Sequence, residues 1–382
     1  MQKVERRYLR NISSLELKLH ASAFIVGLGL SAPAYFIPIF LQKLGASYTL
    51  IGIMGSIRST PYAILPILTG FIMSRYDMRK LYILSSILSF IGFILLSFSQ
   101  SYLEIGLANF LLGISMVFYW PIAESIIAEF FPEDSKWKVY SSFSASWSTA
   151  YFLGPILGGA LAELADLRTL FAISGVICAV AIPLMYLMGE LRLKNISKIK
   201  FKDGKFIHIW PLYVTVFLFA IGMACLILLA PSYFYEAGWS NFMVGAIFTV
   251  FGIARTIGYL WLSRLKKIDE AKTLTLSIVL QSLVIFLLVY TRPEILFPVL
   301  AVAGIINGAY FVASFSVISK KVESGYRSIS IGFLESIIGV GFIIGPAFVG
   351  LLLDYLNVWM AFTITSLVIL SALPLVLILK KL

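Results

Sequence analysis

Apolar runs of roughly 20 residues recur along the whole chain, and brief charged segments separate them. Each run is long enough to cross a hydrocarbon core about 30 Å thick as a helix. Strands of a membrane barrel would instead form segments of about ten residues with alternating polarity. The pattern predicts an all-α membrane protein of twelve transmembrane spans, at residues 16–41, 48–73, 80–99, 103–130, 138–163, 168–190, 209–233, 242–263, 273–291, 295–319, 328–353 and 357–379.

The composition agrees with this interpretation. The 382 residues are 60% hydrophobic and 13% charged, whereas a soluble domain has about 25% charged residues. A net charge of +11 would suggest nucleic-acid binding in a soluble chain, but here the basic residues follow the predicted loops and we expect no nucleic acid. The charged segment from Met1 to Leu19 has no apolar core followed by a cleavage site, so we expect no removable signal peptide.

Lysine and arginine are distributed unevenly between the two sides of the predicted membrane. With the N-terminus inside, the cytoplasmic segments contain 25 of the 30 basic residues, and the outer loops contain Lys43, Arg168 and Arg292. Positive charge accumulates on the cytoplasmic side of membrane proteins. We therefore expect an integral protein of the plasma membrane with both termini in the cytoplasm.

An internal repeat divides the chain. The sequence GPILGG, which begins at Gly154 in span 5, recurs as GPAFVG from Gly345 in span 11, 191 residues later. Spans 1 and 7 repeat at an interval of 193 residues, which relates Pro38 to Pro231. Fixed intervals of this kind indicate duplication. They predict two pseudo-symmetric six-helix halves, residues 1–190 and 209–382, joined by a basic cytoplasmic linker at residues 191–208.

Two parallel six-helix halves with a basic inner loop resemble the major facilitator superfamily over essentially the whole chain. The loop GFIMSRYDMRK, residues 70–80, is similar to that family's signature between spans 2 and 3, although Ser74 replaces its usual aspartate and Asp77 its second glycine. Span 11, with Gly332, Gly341 and Gly345-Pro346, is close to the glycine-rich motif of the family's antiporters. The resemblance implies a carrier of a small solute that works by alternating access as a monomer in the lipid bilayer.

The glycine and proline residues of spans 5 and 11 have two possible roles. Small residues allow transmembrane backbones to approach closely, and neighbouring helices can accommodate a proline kink. Gly154, Pro155, Gly341, Gly345 and Pro346 therefore either simply pack the interface between the halves or form a close, dry contact that resists proton leak and bends as the halves move.

Two arginines fall near the middle of predicted spans. Arg58 lies about ten residues into span 2, and Arg255 lies about thirteen residues into span 8. A charge at membrane depth costs roughly 2.5–3.5 kcal/mol, which makes it a candidate functional group. Either arginine could hold an anionic or strongly polar substrate group, because a guanidinium group can form two hydrogen bonds with one carboxylate or phosphate. The alternative is an ion pair that only orders packing.

Glu124 in span 4 and Glu335 in span 11 lie in the cytoplasmic thirds of their spans. Burial raises the pKa of a carboxyl group and a nearby arginine lowers it, and a proton-coupling residue needs both effects. Glu335 could instead form a gate with Arg75, Asp77 and Arg79 of the loop after span 2, or could simply pack. Asn109 stands where many proton antiporters of the family have arginine, which weakens the proton interpretation.

Aromatic and amide side chains are frequent in the spans that line the cavity of this family. The candidates for substrate binding, in addition to the two arginines, are Tyr35, Asn109, Tyr119, Trp120, Trp147, Tyr151, Asn307 and Tyr310. If they converge, they would form a pocket for planar, amphipathic or sugar-like molecules. The alternative is that most of them face lipid or the protein core.

These observations favour proton-linked efflux of an amphipathic compound by a secondary transporter. A carrier for an organic anion or a sugar, which would use the two arginines, is the alternative, and a transport-inactive receptor or scaffold is more remote. The sequence contains no zinc motif, nucleophile elbow or phosphate-binding loop, so we do not expect an enzyme. The two cysteines and two histidines lack metal-ligand spacing, and we expect neither a metal nor a cofactor.

Overall fold

The computed structural model describes residues 2–65, 72–73, 75–192, 207–263, 269–323 and 326–381. Over these ranges the chain is almost entirely helical and has no strand, which confirms the all-α class. Gly70, Ser74 and most of the predicted linker lie outside the described residues.

The α-helices are numbered here in chain order. They are α1 (Gln2–Ser31), α2 (Phe36–Lys43), α3 (Tyr48–Ile64), α4 (Met78–Phe98), α5 (Tyr102–Phe130), α6 (Glu133–Leu164), α7 (Leu167–Tyr186), α8 (Trp210–Leu228), α9 (Ala230–Glu236), α10 (Asn241–Ser263), α11 (Glu270–Leu287), α12 (Pro293–Lys321), α13 (Arg327–Tyr355), α14 (Val358–Leu370) and α15 (Leu373–Lys381). A single 3₁₀ turn, Ile207–Ile209, precedes α8.

Among the described residues, ten helical segments are long and apolar enough to cross a membrane. Two further predicted spans correspond to α3 and α6. Helix α3 has 17 residues and ends at Ile64, directly before residues that are not described. Helix α6 has 32 residues, with serine and threonine concentrated in its first half. The helices are therefore consistent with the twelve predicted spans.

Spans 1 and 7 are each interrupted at a matching place. Helix α1 ends at Ser31, and α2 begins at Phe36 after a turn that contains Pro33. Helix α8 ends at Leu228, and α9 begins at Ala230, directly before Pro231. Proline has no N–H to donate and its ring clashes with the preceding helical turn. The two breaks thus follow from prolines near the C-terminal ends of spans 1 and 7.

The chain forms two compact units. Unit 1 comprises residues 1–34 and 64–198, and unit 2 comprises residues 35–63 and 199–382. Helices α2 and α3 therefore group with the C-terminal helices, whereas the sequence repeat assigns them to the N-terminal half. The two halves defined by the repeat remain a prediction.

In unit 1, the glycine-proline segment of α6 packs directly on the end of α1. A Cβ at Gly154 would overlap the Ser31 side chain, whose hydroxyl donates to the Ala150 carbonyl at 2.9 Å. Close approach of two helices at small residues gives tight van der Waals contact in a membrane. Gly154 therefore packs α6 on α1 within unit 1, and the role expected for Gly154 and Pro155 between the halves stays a prediction.

In unit 2, the repeated segment of α13 packs on α8 in the same way. A Cβ at Gly345 would lie 2.9 Å from the Ile221 Cα atom, and one at Gly341 would lie 2.5 Å from the Ala220 Cβ atom. The Pro346 carbonyl is turned towards α3, where a Cβ at Gly52 would overlap it. These contacts fit a packing role, and bending at Pro346 remains a prediction.

Candidate functional site

Four aromatic rings of α5 and α6 meet in unit 1. This aromatic cluster consists of Trp120, Phe143, Trp147 and Tyr151. The ring centroids of Trp120 and Trp147 are 4.9 Å apart in an edge-to-face arrangement, and those of Trp147 and Tyr151 are 5.7 Å apart. Phe143 is buried, whereas the other three rings are half-buried. The cluster therefore presents partly accessible aromatic surface, of the kind that binds flat apolar groups.

The helical period explains why the cluster forms. Phe143, Trp147 and Tyr151 follow one another at intervals of four residues on α6, so their side chains emerge on one face of that helix. Trp120 of α5 lies against this face, with its ring 6.3 Å from Phe143 and 6.1 Å from Tyr151. Of the predicted substrate contacts, Trp120, Trp147 and Tyr151 are thus brought together.

Tyr119 supports the cluster from the interior. It is fully buried, and its hydroxyl donates to the Ala23 carbonyl of α1 at 3.0 Å. Its ring contacts Trp120 edge-on at 4.8 Å and stacks on Tyr82 at 5.5 Å. Tyr119 therefore fixes the position of Trp120 relative to α1 from a place that has no exposed surface.

An acidic side chain lies beside the aromatic cluster. Glu124 follows Trp120 by four residues on α5 and is exposed, so both residues occupy the same face of the helix. The backbone carbonyl of Glu124 accepts a hydrogen bond from the Tyr140 hydroxyl of α6 at 2.9 Å. An exposed carboxyl group next to accessible rings is a suitable environment for an organic cation.

Both predicted intramembrane arginines belong to unit 2. Arg58 on α3 and Arg255 on α10 are half-buried. The Arg255 Nε donates to the Tyr259 hydroxyl at 3.2 Å, and its guanidinium lies 5.5 Å from the centroid of the same ring. Tyr259, which the sequence reasoning did not select, holds this guanidinium. Nothing in the sequence around Tyr259 distinguished it from the other tyrosines of the chain.

Glu335 is paired within unit 2. It is half-buried on α13, and its Oε2 atom accepts a hydrogen bond from the Tyr62 hydroxyl of α3 at 3.1 Å. Tyr62 was not among the predicted site residues. A phenol can donate to a charged carboxylate and can also remain bound to a protonated one, so this arrangement permits a change of protonation without loss of the contact.

The predicted gate residues Asp77 and Arg79 form one polar group at the start of α4. Asp77 is buried and accepts hydrogen bonds from the backbone N–H groups of Arg79 at 2.9 Å and Leu191 at 3.0 Å. An Arg79 Nη2 atom lies 3.6 Å from the Asp77 carboxylate, and the guanidinium faces the Tyr186 ring at 5.2 Å. The group ties the start of α4 to the chain after α7. Arg75 is exposed and precedes it.

The remaining predicted contacts lie in the interior of their units. Asn109 in unit 1 is buried, and Asn307 and Tyr310 in unit 2 have no exposed surface. Tyr35 is half-buried and stacks on Phe248 of α10 with ring centroids 4.0 Å apart. These side chains do not join the aromatic cluster, and their predicted contact with substrate remains untested.

Unit 2 contains another polar group, which the sequence did not predict. The Asp354 carboxylate at the end of α13 accepts the backbone N–H groups of Tyr48 at 2.9 Å and Thr49 at 2.8 Å. The Glu236 carboxylate of α9 accepts hydrogen bonds from the Tyr48 hydroxyl and from Gln42. Residues about 200 to 300 positions apart form this group, so no local sequence pattern could have revealed it.

Metal chemistry has no structural support in the part of the chain that the structure describes. No group of three or more histidine, cysteine, aspartate or glutamate side chains there could hold a metal ion.

The chain resembles known proteins in family, sequence and structure. A family model described as the Major Facilitator Superfamily matches residues 19–209 and 212–381. The Multidrug resistance protein 1 of Bacillus subtilis (strain 168) is 23% identical over 355 residues, which cover 90% of each chain.

Solved structures of transporters share the fold. The nucleoside transporter NupG superposes with a TM-score of 0.80 at 14% identity, covering 96% of this chain and 99% of that one. A bacterial homolog of the human lysosomal transporter Spinster, in an inward-facing and occupied conformation, superposes with a TM-score of 0.75 at 16% identity, covering 97% of this chain and 95% of that one. Because the family model spans nearly the whole sequence, this chain belongs to the Major Facilitator Superfamily and is a membrane transporter of a small solute.

Proposed function

We propose that this transporter exports amphipathic organic cations with planar aromatic groups in exchange for protons. In this proposal the protein lies in the plasma membrane with both of its termini in the cytoplasm. The observation on which the proposal rests is the aromatic cluster of unit 1, in which Trp120, Trp147 and Tyr151 are half-buried and Glu124 lies one turn away. Aromatic faces and a carboxyl group together match a flat molecule with one positive charge.

The energetics of such a site favour cations over neutral compounds of the same shape. A cation over a tryptophan or tyrosine ring gains roughly 0.5–2 kcal/mol, and the carboxyl group of Glu124 adds attraction that depends on the sign of the ligand charge. In the edge-to-face packing of Trp120 and Trp147, the edge of one ring lies against one face of the other, so this contact leaves at least one face of each ring uncovered. The relative named as a multidrug resistance protein is consistent with a substrate of this class.

The proposal assigns proton coupling to Glu335. Its carboxyl group lies within the apolar helix α13, where protonation is the ordinary means of removing charge from a membrane interior. The hydroxyl of Tyr62 can remain bonded to Oε2 in either protonation state. Glu124, which is exposed, then serves the substrate instead of the proton.

One observation favours a second candidate, a carrier for organic anions. The guanidinium of Arg255 is half-buried and is oriented by Tyr259, and Arg58 is half-buried in the same unit. A pre-oriented guanidinium binds carboxylate or phosphate with two parallel hydrogen bonds. In this alternative unit 2 supplies the principal substrate contacts.

A pair of ligands with the same shape and opposite charge separates the two candidates. Tetraphenylphosphonium and tetraphenylborate would each be titrated into the purified protein while the unfolding temperature is measured. A ligand at 100 times its Kd stabilises the folded state by about 2.7 kcal/mol. We expect stabilisation by tetraphenylphosphonium that is reduced in Trp147→Ala and in Glu124→Gln but retained in Arg255→Gln.

The other outcomes are equally informative. Stabilisation by tetraphenylborate that disappears in Arg255→Gln would establish the anion carrier and overturn the cation proposal. Stabilisation by tetraphenylphosphonium that is unchanged in Trp147→Ala would show that the cation binds outside the aromatic cluster, which would also contradict the proposal.

A further inference from the structure

Three buried polar side chains of unit 2 converge on one turn of α8. The Asn307 Nδ2 donates to the Met223 Sδ atom at 3.0 Å, and the Tyr310 ring stacks on Phe219 with centroids 3.7 Å apart. The Gln281 Nε2 lies 3.3 Å from the place that a Cβ at Gly222 would occupy. Gly222 and Met223 follow Phe219 on α8 by three and four positions, so both lie on the same face of that helix as Phe219.

These three side chains have unsatisfied hydrogen-bonding capacity. Gln281, Asn307 and Tyr310 are each 0% exposed. Both amide atoms of Gln281, the Oδ1 atom of Asn307 and the hydroxyl of Tyr310 have no hydrogen-bond partner among the described residues. Each unsatisfied buried group costs about 1–3 kcal/mol. Four such atoms on side chains that contact α8 would together carry a large cost, which a bound hydrogen-bonding partner would offset.

The matching place in unit 1 shows how this fold satisfies a polar interior without a ligand. Helices α4 and α11 both begin after an aspartate cap, Asp77 and Asp269, and the interval of 192 residues between these caps also relates Ser89 to Gln281. The Ser89 hydroxyl forms a hydrogen bond directly with the Ser115 hydroxyl. At this repeated position unit 2 thus has the long amide of Gln281, whereas unit 1 has the short hydroxyl of Ser89, which has a partner.

The tyrosines differ in the same way. Tyr119 precedes Tyr310 by 191 residues, which is also the interval between the first residues of α5 and α12. Both rings are fully buried. The Tyr119 hydroxyl donates to the Ala23 carbonyl at 3.0 Å, whereas the Tyr310 hydroxyl has no hydrogen-bond partner in the part of the chain that the structure describes. Unit 1 is therefore an internal reference for the same position with its hydrogen bond made.

We propose that Gln281, Asn307 and Tyr310 form an internal binding site for ordered water in unit 2. Water both donates and accepts, as the two atoms of the Gln281 amide require, whereas a metal cation cannot accept a bond from Nε2. A buried water makes about three hydrogen bonds, so four unsatisfied atoms call for roughly one or two molecules.

Gly222 lets the side chains of Gln281 and Ile369 pack directly on the backbone of α8. A Cβ at that position would lie 2.5 Å from the Ile369 Cδ1 atom as well as 3.3 Å from the Gln281 Nε2. The site is independent of the proposed efflux function. It assigns to Asn307 and Tyr310 a role in hydration of the protein interior, which differs from the substrate contact that the sequence predicted.

X-ray radiolysis of the purified full-length protein tests the site directly, because hydroxyl radicals formed from bound water oxidise the side chains next to it. Modification is read by mass spectrometry in H₂¹⁸O. We expect Tyr310 to be modified severalfold faster than Tyr119, and Met223 severalfold faster than Met185. These pairs are matched because all four side chains are buried. The two methionines also resemble each other, because the Met185 Sδ atom accepts a hydrogen bond from the Ser86 hydroxyl at 3.4 Å and the Met223 Sδ atom accepts one from Asn307.

Two variants connect the modification to the proposed side chains. In Gln281→Leu, the modification of Tyr310 should fall to the rate of Tyr119, whereas Ser89→Ala in unit 1 should leave it unchanged. Equal rates for Tyr310 and Tyr119, and for Met223 and Met185, in the unaltered protein would overturn the proposal, because the amides would then satisfy each other in a dry interior. That comparison needs no variant and holds even if Gln281→Leu fails to fold.

Discussion

The hydroxyl of Tyr62 donates a hydrogen bond to the carboxylate of Glu335 at 3.1 Å, although the two residues lie 273 positions apart in the chain. The bond joins α3 to α13 within unit 2. These helices are also in contact at Gly52 and Pro346, so a backbone contact fixes the spacing between the two side chains. The proposed role of Glu335 in proton coupling therefore depends on a contact that the packing of α3 on α13 holds in place.

Glu335→Gln should abolish the pH dependence of transport, because the amide keeps the size of the side chain and cannot titrate. Tyr62→Phe should retain a pH profile with a displaced midpoint, because it removes only the hydroxyl that bonds to the carboxylate. Uptake of tetraphenylphosphonium by proteoliposomes over a range of pH measures both effects. An unchanged pH profile in Glu335→Gln would show that another group couples transport to protons.

Trp147→Ala should weaken binding of tetraphenylphosphonium about tenfold, which corresponds to about 1.4 kcal/mol. The reason is the loss of a half-buried ring that contacts both Trp120 and Tyr151. Trp359→Ala is the matched control, because Trp359 packs on Phe286 and Tyr290 in unit 2. Equal weakening in the two variants would attribute the effect to general destabilisation.

Gly52→Ala should lower the unfolding temperature. The added methyl group would overlap the Pro346 carbonyl, and overpacking of this kind costs about 1–3 kcal/mol. Gly332→Ala on α13 is the control, because a Cβ there has no atom within 4 Å and alanine favours a helix by up to about 1 kcal/mol. In detergent, the unfolding temperature of Gly52→Ala should be lower than that of the unaltered protein, and the unfolding temperature of Gly332→Ala should be higher.

Asp77→Asn should destabilise the protein more than Asp269→Asn. Both aspartates cap a helix through a backbone N–H, and asparagine is nearly as good a cap. Only Asp77 is buried, bonded to the Leu191 N–H and paired with Arg79. Hydrogen bonds to charged groups contribute about 1.5–3 kcal/mol, which thermal unfolding can resolve. Equal losses would mean that the cap alone accounts for the role of Asp77.

The sequence was sufficient to predict the helices, because a membrane interior allows few alternatives to a helix and each span has a long apolar run. The aromatic cluster was partly predictable, since Trp147 and Tyr151 share a helix face by spacing alone. The helix break before Phe36 was not predicted. Span 1 is apolar throughout, and the presence of Pro33 and Pro38 is compatible with either a kinked helix or two separate helices.

Contacts between distant parts of the chain could not be predicted. The Asp354 carboxylate caps α3 at Tyr48, 306 positions earlier in the chain, and no periodicity in one helix specifies its neighbour. The grouping of α2 and α3 with the C-terminal helices has the same origin, because close approach at Gly52 is decided by the partner helix. Arg58 consequently lies in the same compact unit as Arg255.

The edge-to-face contact of Trp120 and Trp147, with centroids 4.9 Å apart, gives the protein an optical reporter of its own. Two indoles at this separation exchange excitation energy, so a molecule that settles on either ring changes the emission of both. Replacing the other five tryptophans with phenylalanine would leave a transporter whose fluorescence reports occupancy of the aromatic cluster alone. Unlabelled compounds could then be screened by light in reconstituted vesicles, and the protein's own emission would rank them by how well they fill the cluster.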